Sequence, residues 1–222
     1  HQDILMSTPK EPKYFSNRAN TISFSGKGDI EVYNSIVKSK TEYKNLFKSE
    51  KDLIIKGESS ADSLYYYKKV IPLIQKELDE PYILIILRNP IQRAFSAYTH
   101  LIRDEREINS FEEGLLLESE RKELGYEFIW HYKEVGLYYN QVKSYIENFK
   151  NCKVILFDDL KKDSQLVIDD ICDFLKLTKI KINKDKVYNK SGIPRKNLQT
   201  LLYKKFIKKR SLLRKIASVF LK

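Results

Sequence analysis

The chain predicts an α/β fold, a doubly wound parallel sheet with helices on both faces. Three short runs, residues 53–56, 82–87 and 154–157, are almost continuously apolar, as strands covered on both faces are. Stretches with helix signals lie between and after them, so strand and helix alternate along the chain. The 222 residues are 42% hydrophobic with only 7 Gly and 6 Pro, enough for a packed core and unlike a fibrous or disordered chain.

The elements follow in order. Residues 16–29 are polar with glycines and predict a loop; a substrate-side loop and a tolerated surface insertion both fit. After the 53–56 strand, a helix is expected over 62–78, opened by Asp62 as cap and broken or kinked at Pro72. The 82–87 strand runs straight into a helix over 90–106, with Asn89 at the cap and Pro90 in the first turn. Ser110 with Glu113 three residues on is a capping-box pattern for a helix over 110–123. Helices over 134–149 and 164–175 flank the 154–157 strand, and 179–194 reads as a long loop.

The net charge of +11 is local. Ten of the 41 basic residues and none of the 30 acidic ones lie between Arg195 and Lys222, so residues 1–194 carry 31 against 30. A nucleic-acid surface spread over the domain is therefore not expected. His1, His100 and His131 lack metal-ligand spacing, and no metal is expected. Cys152 and Cys172 read as two reduced thiols, a disulfide being the second reading. No apolar run is long enough to span a bilayer, and the first residues carry no signal-peptide pattern. Sparse cysteines favour a reducing cytoplasm, while a Golgi-lumen domain freed of an anchor has the same composition.

Four constellations bear chemistry. In Ile85–Ser96 an apolar strand ends in Arg88 and a capped helix starts at once. Ligands of open α/β sheets bind beyond the carboxyl ends of strands. A helix start there offers amides and a positive dipole end, and Arg88 adds a fork that fits phosphate. Ser96 lies about two turns in. The others are Lys10-Glu11-Pro12-Lys13-Tyr14-Phe15, Gly57-Glu58-Ser59-Ser60-Ala61-Asp62-Ser63-Leu64-Tyr65 after a strand, and Tyr188-Asn189-Lys190-Ser191-Gly192-Ile193-Pro194-Arg195. Read alone these are a charged loop, a helix-cap cluster and a Gly-Pro turn.

Together and in this order they resemble the sulfotransferase family, from His1 to about Arg210. Arg88-Asn89-Pro90 through Ser96 is similar to the segment that holds the 3′-phosphate of 3′-phosphoadenosine 5′-phosphosulfate. Segment 10–15 resembles the Lys-Glu-x-His-Phe-Phe stretch of carbohydrate sulfotransferases; the match implies Glu11 as general base, with Lys13 at a position often held by His. Glu58, Ser59 and Ser60 resemble a segment lining the donor and acceptor cleft. Ser191, Gly192 and Arg195 resemble a loop that closes over the donor. Residues 136–160 and Phe174-Leu175-Lys176-Leu177 match the family's helix–strand–helix region. The resemblance implies a P-loop NTPase-like sulfotransferase fold over residues 1–210. It also implies the phosphosulfate nucleotide as donor, its 3′,5′-bisphosphate as product, and a hydroxylated small-molecule, glycan or glycolipid acceptor. Walker-type kinase residues do not occur.

The family's first strand and its Lys-x-Gly-Thr phosphosulfate loop belong upstream of a start like His1-Gln2-Asp3-Ile4, and no Lys-Gly-Thr pattern occurs. Two accounts stand. Either the sequence is a piece of a longer enzyme, the favoured expectation, or it is a degenerate domain that binds a nucleotide or anionic lipid without turnover. In residues 195–222 basic residues alternate with apolar ones at helical spacing, and 211–222 is expected as a basic amphipathic helix. Packing on the domain, peripheral contact with an anionic membrane and attraction of an acidic glycan are the readings it leaves open.

Overall fold

A computed structural model describes residues 1–19, 22–49 and 55–183 of the chain. The elements run β1 (Ile4–Met6), α1 (Tyr14–Ala19), α2 (Asp29–Ser35), α3 (Lys40–Asn45), β2 (Ile55–Gly57), α4 (Asp62–Tyr65) and α5 (Tyr67–Glu77). They continue with β3 (Ile83–Leu87), α6 (Pro90–Arg103), α7 (Phe111–Leu116), α8 (Glu118–Glu123), α9 (Tyr138–Asn148), β4 (Cys152–Leu156), α10 (Phe157–Lys162) and α11 (Ser164–Phe174). Turns of 3₁₀ type lie at Phe128–Trp130 and Glu134–Gly136.

All described strand pairing is parallel, as the apolar runs predicted. β1 pairs with β2, Ile4 opposite Ile55, and β3 with β4, Ile83 opposite Cys152. Among the described residues these are two two-stranded sheets rather than one. Each pair is joined by a helical crossover, as parallel neighbours require: α1 to α3 for the first, α6 to α9 for the second.

α11 ties the pairs together. Its Cys172, with Leu175 and Leu177, packs on Ile4 and Ile55 of the first pair. Its Phe174 meets Tyr82 edge-on at 5.3 Å beside β3, and Asp170 accepts from Lys153 of β4 at 2.7 Å. The main core lies on the other face of β3, where Ile85 packs with Tyr14, Phe15, Val70, Ile74 and Tyr145. Tyr14 stacks on Tyr43 of α3 with ring centroids 4.4 Å apart. A second cluster, Ala94, Ala97, Leu101, Trp130 and Tyr132, sets α6 against the 128–136 segment. That segment is also held by a buried pair. Arg121 grips Glu107 with two bonds, 2.7 and 3.0 Å, and the Tyr132 hydroxyl donates to Glu107 at 2.8 Å. The two cysteines are free thiols in different clusters.

Several boundaries differ from expectation for identifiable reasons. β1 is only three residues long, too short to show a period. Residues 16–19 are helical, because Tyr14, Phe15 and Ser16 are buried and anchor α1. The 62–78 stretch breaks at Tyr66 (φ −86°, ψ 22°), whereas Pro72 is accommodated inside α5. Asp62 does not cap; it turns inward to an ion pair. The 90–106 helix stops at Arg103, with Glu105 in a left-handed conformation, φ 56°. Ser110 and Glu113 form the capping box, but the helix they start divides at Leu117. The expected 134–149 helix is a 3₁₀ turn followed by α9. Residues 53 and 54 of the first expected strand, and most of the 179–194 loop, lie outside the described residues.

Candidate active site

Because β1 and β2 run parallel, both chains leave the sheet at the same end, and the two loops that follow are laced together. Ser7 N–H donates to the Gly57 carbonyl at 2.9 Å, and Ser59 N–H to the Lys10 carbonyl at 3.1 Å. The Ser59 hydroxyl also donates to Lys10 O at 3.2 Å, and Lys13 N–H to the Ser60 hydroxyl at 2.9 Å. Glu11 and Lys13 are thereby brought together with Glu58, Ser59 and Ser60, two constellations 47 residues apart in sequence.

Glu11 is exposed. Lys13 is not: its backbone takes a left-handed φ of 51°, rare for a residue with a side chain, and its ammonium turns inward. Nζ lies 3.1 Å from Glu127, 3.5 Å from Asp62 and 4.7 Å from the centre of the Phe128 ring. Burial opposes its charge, yet Asp62, Glu127 and Glu11 together hold the lysine above its ordinary pKa. Burial pushes Glu58 up, against the hydrogen bond at 2.6 Å that it accepts from Ser60 N–H; nearby Asp62 and Glu11 raise it further.

Behind Lys13 lies a buried charge cluster. Asp29 is fully buried. It accepts from Gly26 N–H, Glu127 N–H and the Trp130 indole, each at 2.9 Å, and from the Arg106 guanidinium. Arg106 also donates to Glu127 at 3.1 Å, and Ser16 to Asp62 at 2.8 Å. Asp29, Asp62, Arg106 and Glu127 are not among the site residues that the sequence motifs point to. One of them carried a signal. Glu127 is a single carboxylate inside the aromatic run Tyr126–Tyr132, and a carboxylate in such surroundings needs a cationic partner.

The second part of the site is the β3–α6 junction. Arg88 lies 5.4 Å from the centre of the Phe157 ring, at the end of β3. Among the described residues it has no carboxylate partner, and its buried Nε has no hydrogen-bond acceptor. The amides at the start of α6 are not free as expected. Asn89 Oδ1 accepts from Ile91 and Gln92 N–H at 3.0 and 3.2 Å, Pro90 has no N–H, and Arg93 N–H reaches the Asn89 carbonyl at 2.9 Å. What this junction offers an anion is the guanidinium and the helix dipole rather than these amides. Ser96 is half-buried on α6, one turn beyond Arg93 and on the same face. Arg93 donates to the His131 carbonyl at 3.3 Å and to that of Tyr132. Residues 127–132 therefore touch both parts, through Glu127 to Lys13 and through two carbonyls to α6.

The Sulfotransferase domain family model matches residues 69–217, a span that includes β3, Arg88 and α6. The chain belongs to the sulfotransferase family. It is similar to the crystal structure of a sulfotransferase from Alicyclobacillus acidocaldarius, at 36% identity and a TM-score of 0.80, over 86% of this chain and 77% of that one. No curated protein matches. This sulfotransferase retains an α/β frame that brings Glu11 and Lys13 together with Glu58–Ser60. No hydrogen bond or ion pair among the described residues joins them directly to Arg88 or Ser96. Ser191, Gly192, Arg195 and the 211–222 segment lie outside the described residues. Within those residues no helix is long and apolar enough to cross a membrane.

His131, in the middle of the connecting segment, is 3% exposed with both ring nitrogens unpartnered. Burial drops its pKa to about 4 from 6.5. A depressed histidine favours the fold only while neutral. Its contribution is complete above pH 6.5 and is lost as pH falls towards 4, on the order of 3 kcal/mol across that window. Thermal melts from pH 7 to 4 are expected to show a loss that His131→Gln reduces. Equal losses in parent and variant would remove His131 from the acid sensitivity.

Proposed function

We propose that this sulfotransferase moves a sulfuryl group from 3′-phosphoadenosine 5′-phosphosulfate to a hydroxyl of a carbohydrate or glycolipid. The observation that carries the reading is the pairing of an exposed carboxylate, Glu11, beside a buried ammonium, Lys13, with an arginine at the end of β3 that lacks a protein counter-charge. That arginine fits the donor's 3′-phosphate: a doubly charged group supplies acceptor oxygens for a fork that no described carboxylate neutralises. The donor, when bound, supplies an activated sulfuryl group and a bisphosphate leaving group.

The chain's own groups do the rest. Arg88 and Ser96 hold the 3′-phosphate, and the likeness to the family's donor loop assigns Ser191, Gly192 and Arg195, outside the described residues, to the nucleotide as well. Glu11 takes the acceptor's proton as the acceptor oxygen bonds to sulfur and the sulfur–phosphate bridge bond breaks. Lys13 contributes positive charge beside that carboxylate. Glu58, Ser59 and Ser60 line the acceptor side. Sulfuryl transfer needs in-line positioning and charge stabilisation, which such an arrangement supports.

The acceptor class rests on the likeness of residues 10–15 to carbohydrate enzymes. The test is to incubate the intact protein with donor and a panel of oligosaccharides, glycolipids and phenols. Mass spectrometry is expected to find one added sulfuryl group on sugar-bearing acceptors. Labelling of phenols alone would overturn the acceptor class and leave the transfer chemistry standing.

A further inference from the structure

We infer that Glu127 is a positioning residue for sulfuryl transfer, acting through Lys13 to hold the loop that carries Glu11. The inference rests on the reading of Glu11 as base.

Geometry leads to it. Lys13 lies two residues from Glu11, and its backbone cannot relax freely, because the left-handed φ of 51° is kept by what its ends are tied to. Three ties reach it from separate parts of the fold. Ser60 accepts from its amide at 2.9 Å, Asp62 of α4 stands 3.5 Å from its ammonium, and Glu127 accepts from that ammonium at 3.1 Å. Of the two carboxylates Glu127 is the nearer and the one that accepts a hydrogen bond from Nζ. Glu127 is itself held rigidly. Its amide donates to Asp29 at 2.9 Å, and its second carboxylate oxygen accepts from Arg106 at 3.1 Å. One oxygen faces Arg106 and the other Lys13, so a single carboxylate links a fixed arginine to the base loop across 114 residues of sequence.

Burial decides how much this matters. Lys13 is 8% exposed and Glu127 5%, so neither charge is satisfied by water. An ammonium in that place keeps its own proton and its position only while the carboxylates around it are ionised. Three acidic groups face it: Asp62 from α4, Glu127 from the 127–132 segment, and Glu11 from its own loop. If Glu127 is made neutral, one is lost. Lys13 then gives up its proton at lower pH, and the loop loses its hydrogen-bonded anchor. Misplacement of a catalytic group by about 1 Å can cost on the order of a hundredfold in rate.

The test uses intact protein and four forms: parent, Glu127→Gln, Lys13→Met and the double variant. Turnover is measured from pH 6 to about 11.5, past the ordinary lysine range, and binding of adenosine 3′,5′-bisphosphate by calorimetry. For Glu127→Gln, kcat is expected to fall at least about tenfold. Bisphosphate affinity should stay within about twofold, and the alkaline limb of the profile should move to lower pH. In the Lys13→Met background the same change should cost less than about twofold, because the path through Lys13 is already cut. A parent-like kcat with an unmoved alkaline limb would overturn the inference, as would a full additive loss in the double variant. Should Glu127→Gln not fold, the comparison of Lys13→Met with the double variant decides alone. Parent-like turnover in Glu11→Gln would instead strike the reading beneath it, so the two failures are separable.

Discussion

Glu11→Gln is expected to lower kcat by about 10²- to 10⁴-fold while leaving donor affinity close to that of the parent. The size follows from the role. A base that takes the acceptor proton acts in the transition state, so its loss shows in kcat rather than in binding of the nucleotide. The position favours Glu11. It is exposed where an acceptor can reach it, two residues from a lysine whose charge is buried. Glu58 is the rival. Burial raises its pKa, which improves a carboxylate as a base near neutral pH. Glu58 is also committed to Ser60 N–H at 2.6 Å, which leaves it poorly placed to receive a substrate proton. Comparing Glu11→Gln with Glu58→Gln by steady-state kinetics separates them. A larger kcat loss in Glu58→Gln would transfer the role.

Arg88→Ala is expected to weaken adenosine 3′,5′-bisphosphate by roughly a hundredfold, on the basis of about 1.5–3 kcal/mol for each charge-assisted hydrogen bond. Adenosine 5′-phosphate, which lacks the 3′-phosphate, should bind parent and variant alike. Arg88→Lys should fall between, since an ammonium keeps the charge but not the fork. Because Arg88 has no carboxylate partner among the described residues, its removal leaves no buried anion behind, and the variant should fold. Calorimetry with both nucleotides checks this. Equal losses for the two would mean that Arg88 does not read the 3′-phosphate.

What could be read in the sequence was whatever local chemistry dictates. The Asn89–Pro90 start of α6 and the Ser110–Glu113 box depend on neighbours within three residues, and both formed. Apolar runs marked β3 and β4, although Leu84 and Ile86 of β3 and Leu156 of β4 are exposed among the described residues, so both strands are less covered than continuous hydrophobicity implies. β1 escaped because three residues carry no period. The free amides expected at α6 were lost to the same Asn89 that marked the helix: a good cap consumes the donors an anion would use. In the site, the residues carried by the family resemblance could be named, but the cluster behind them could not. Asp29 with Arg106 spans 77 residues and Lys13 with Glu127 spans 114, and no local pattern encodes such a contact. Asp62 has the pattern of a cap, since an acidic residue before a helix usually is one, but its burial diverts it to Lys13 and Ser16.

The most direct measurement is a crystal of the intact protein grown with adenosine 3′,5′-bisphosphate. The 3′-phosphate should lie within hydrogen-bond distance of the Arg88 guanidinium and the Ser96 hydroxyl, with the 5′-phosphate directed towards Glu11 and Lys13. A nucleotide bound elsewhere, or Arg88 and Ser96 on opposite sides of it, would contradict the account.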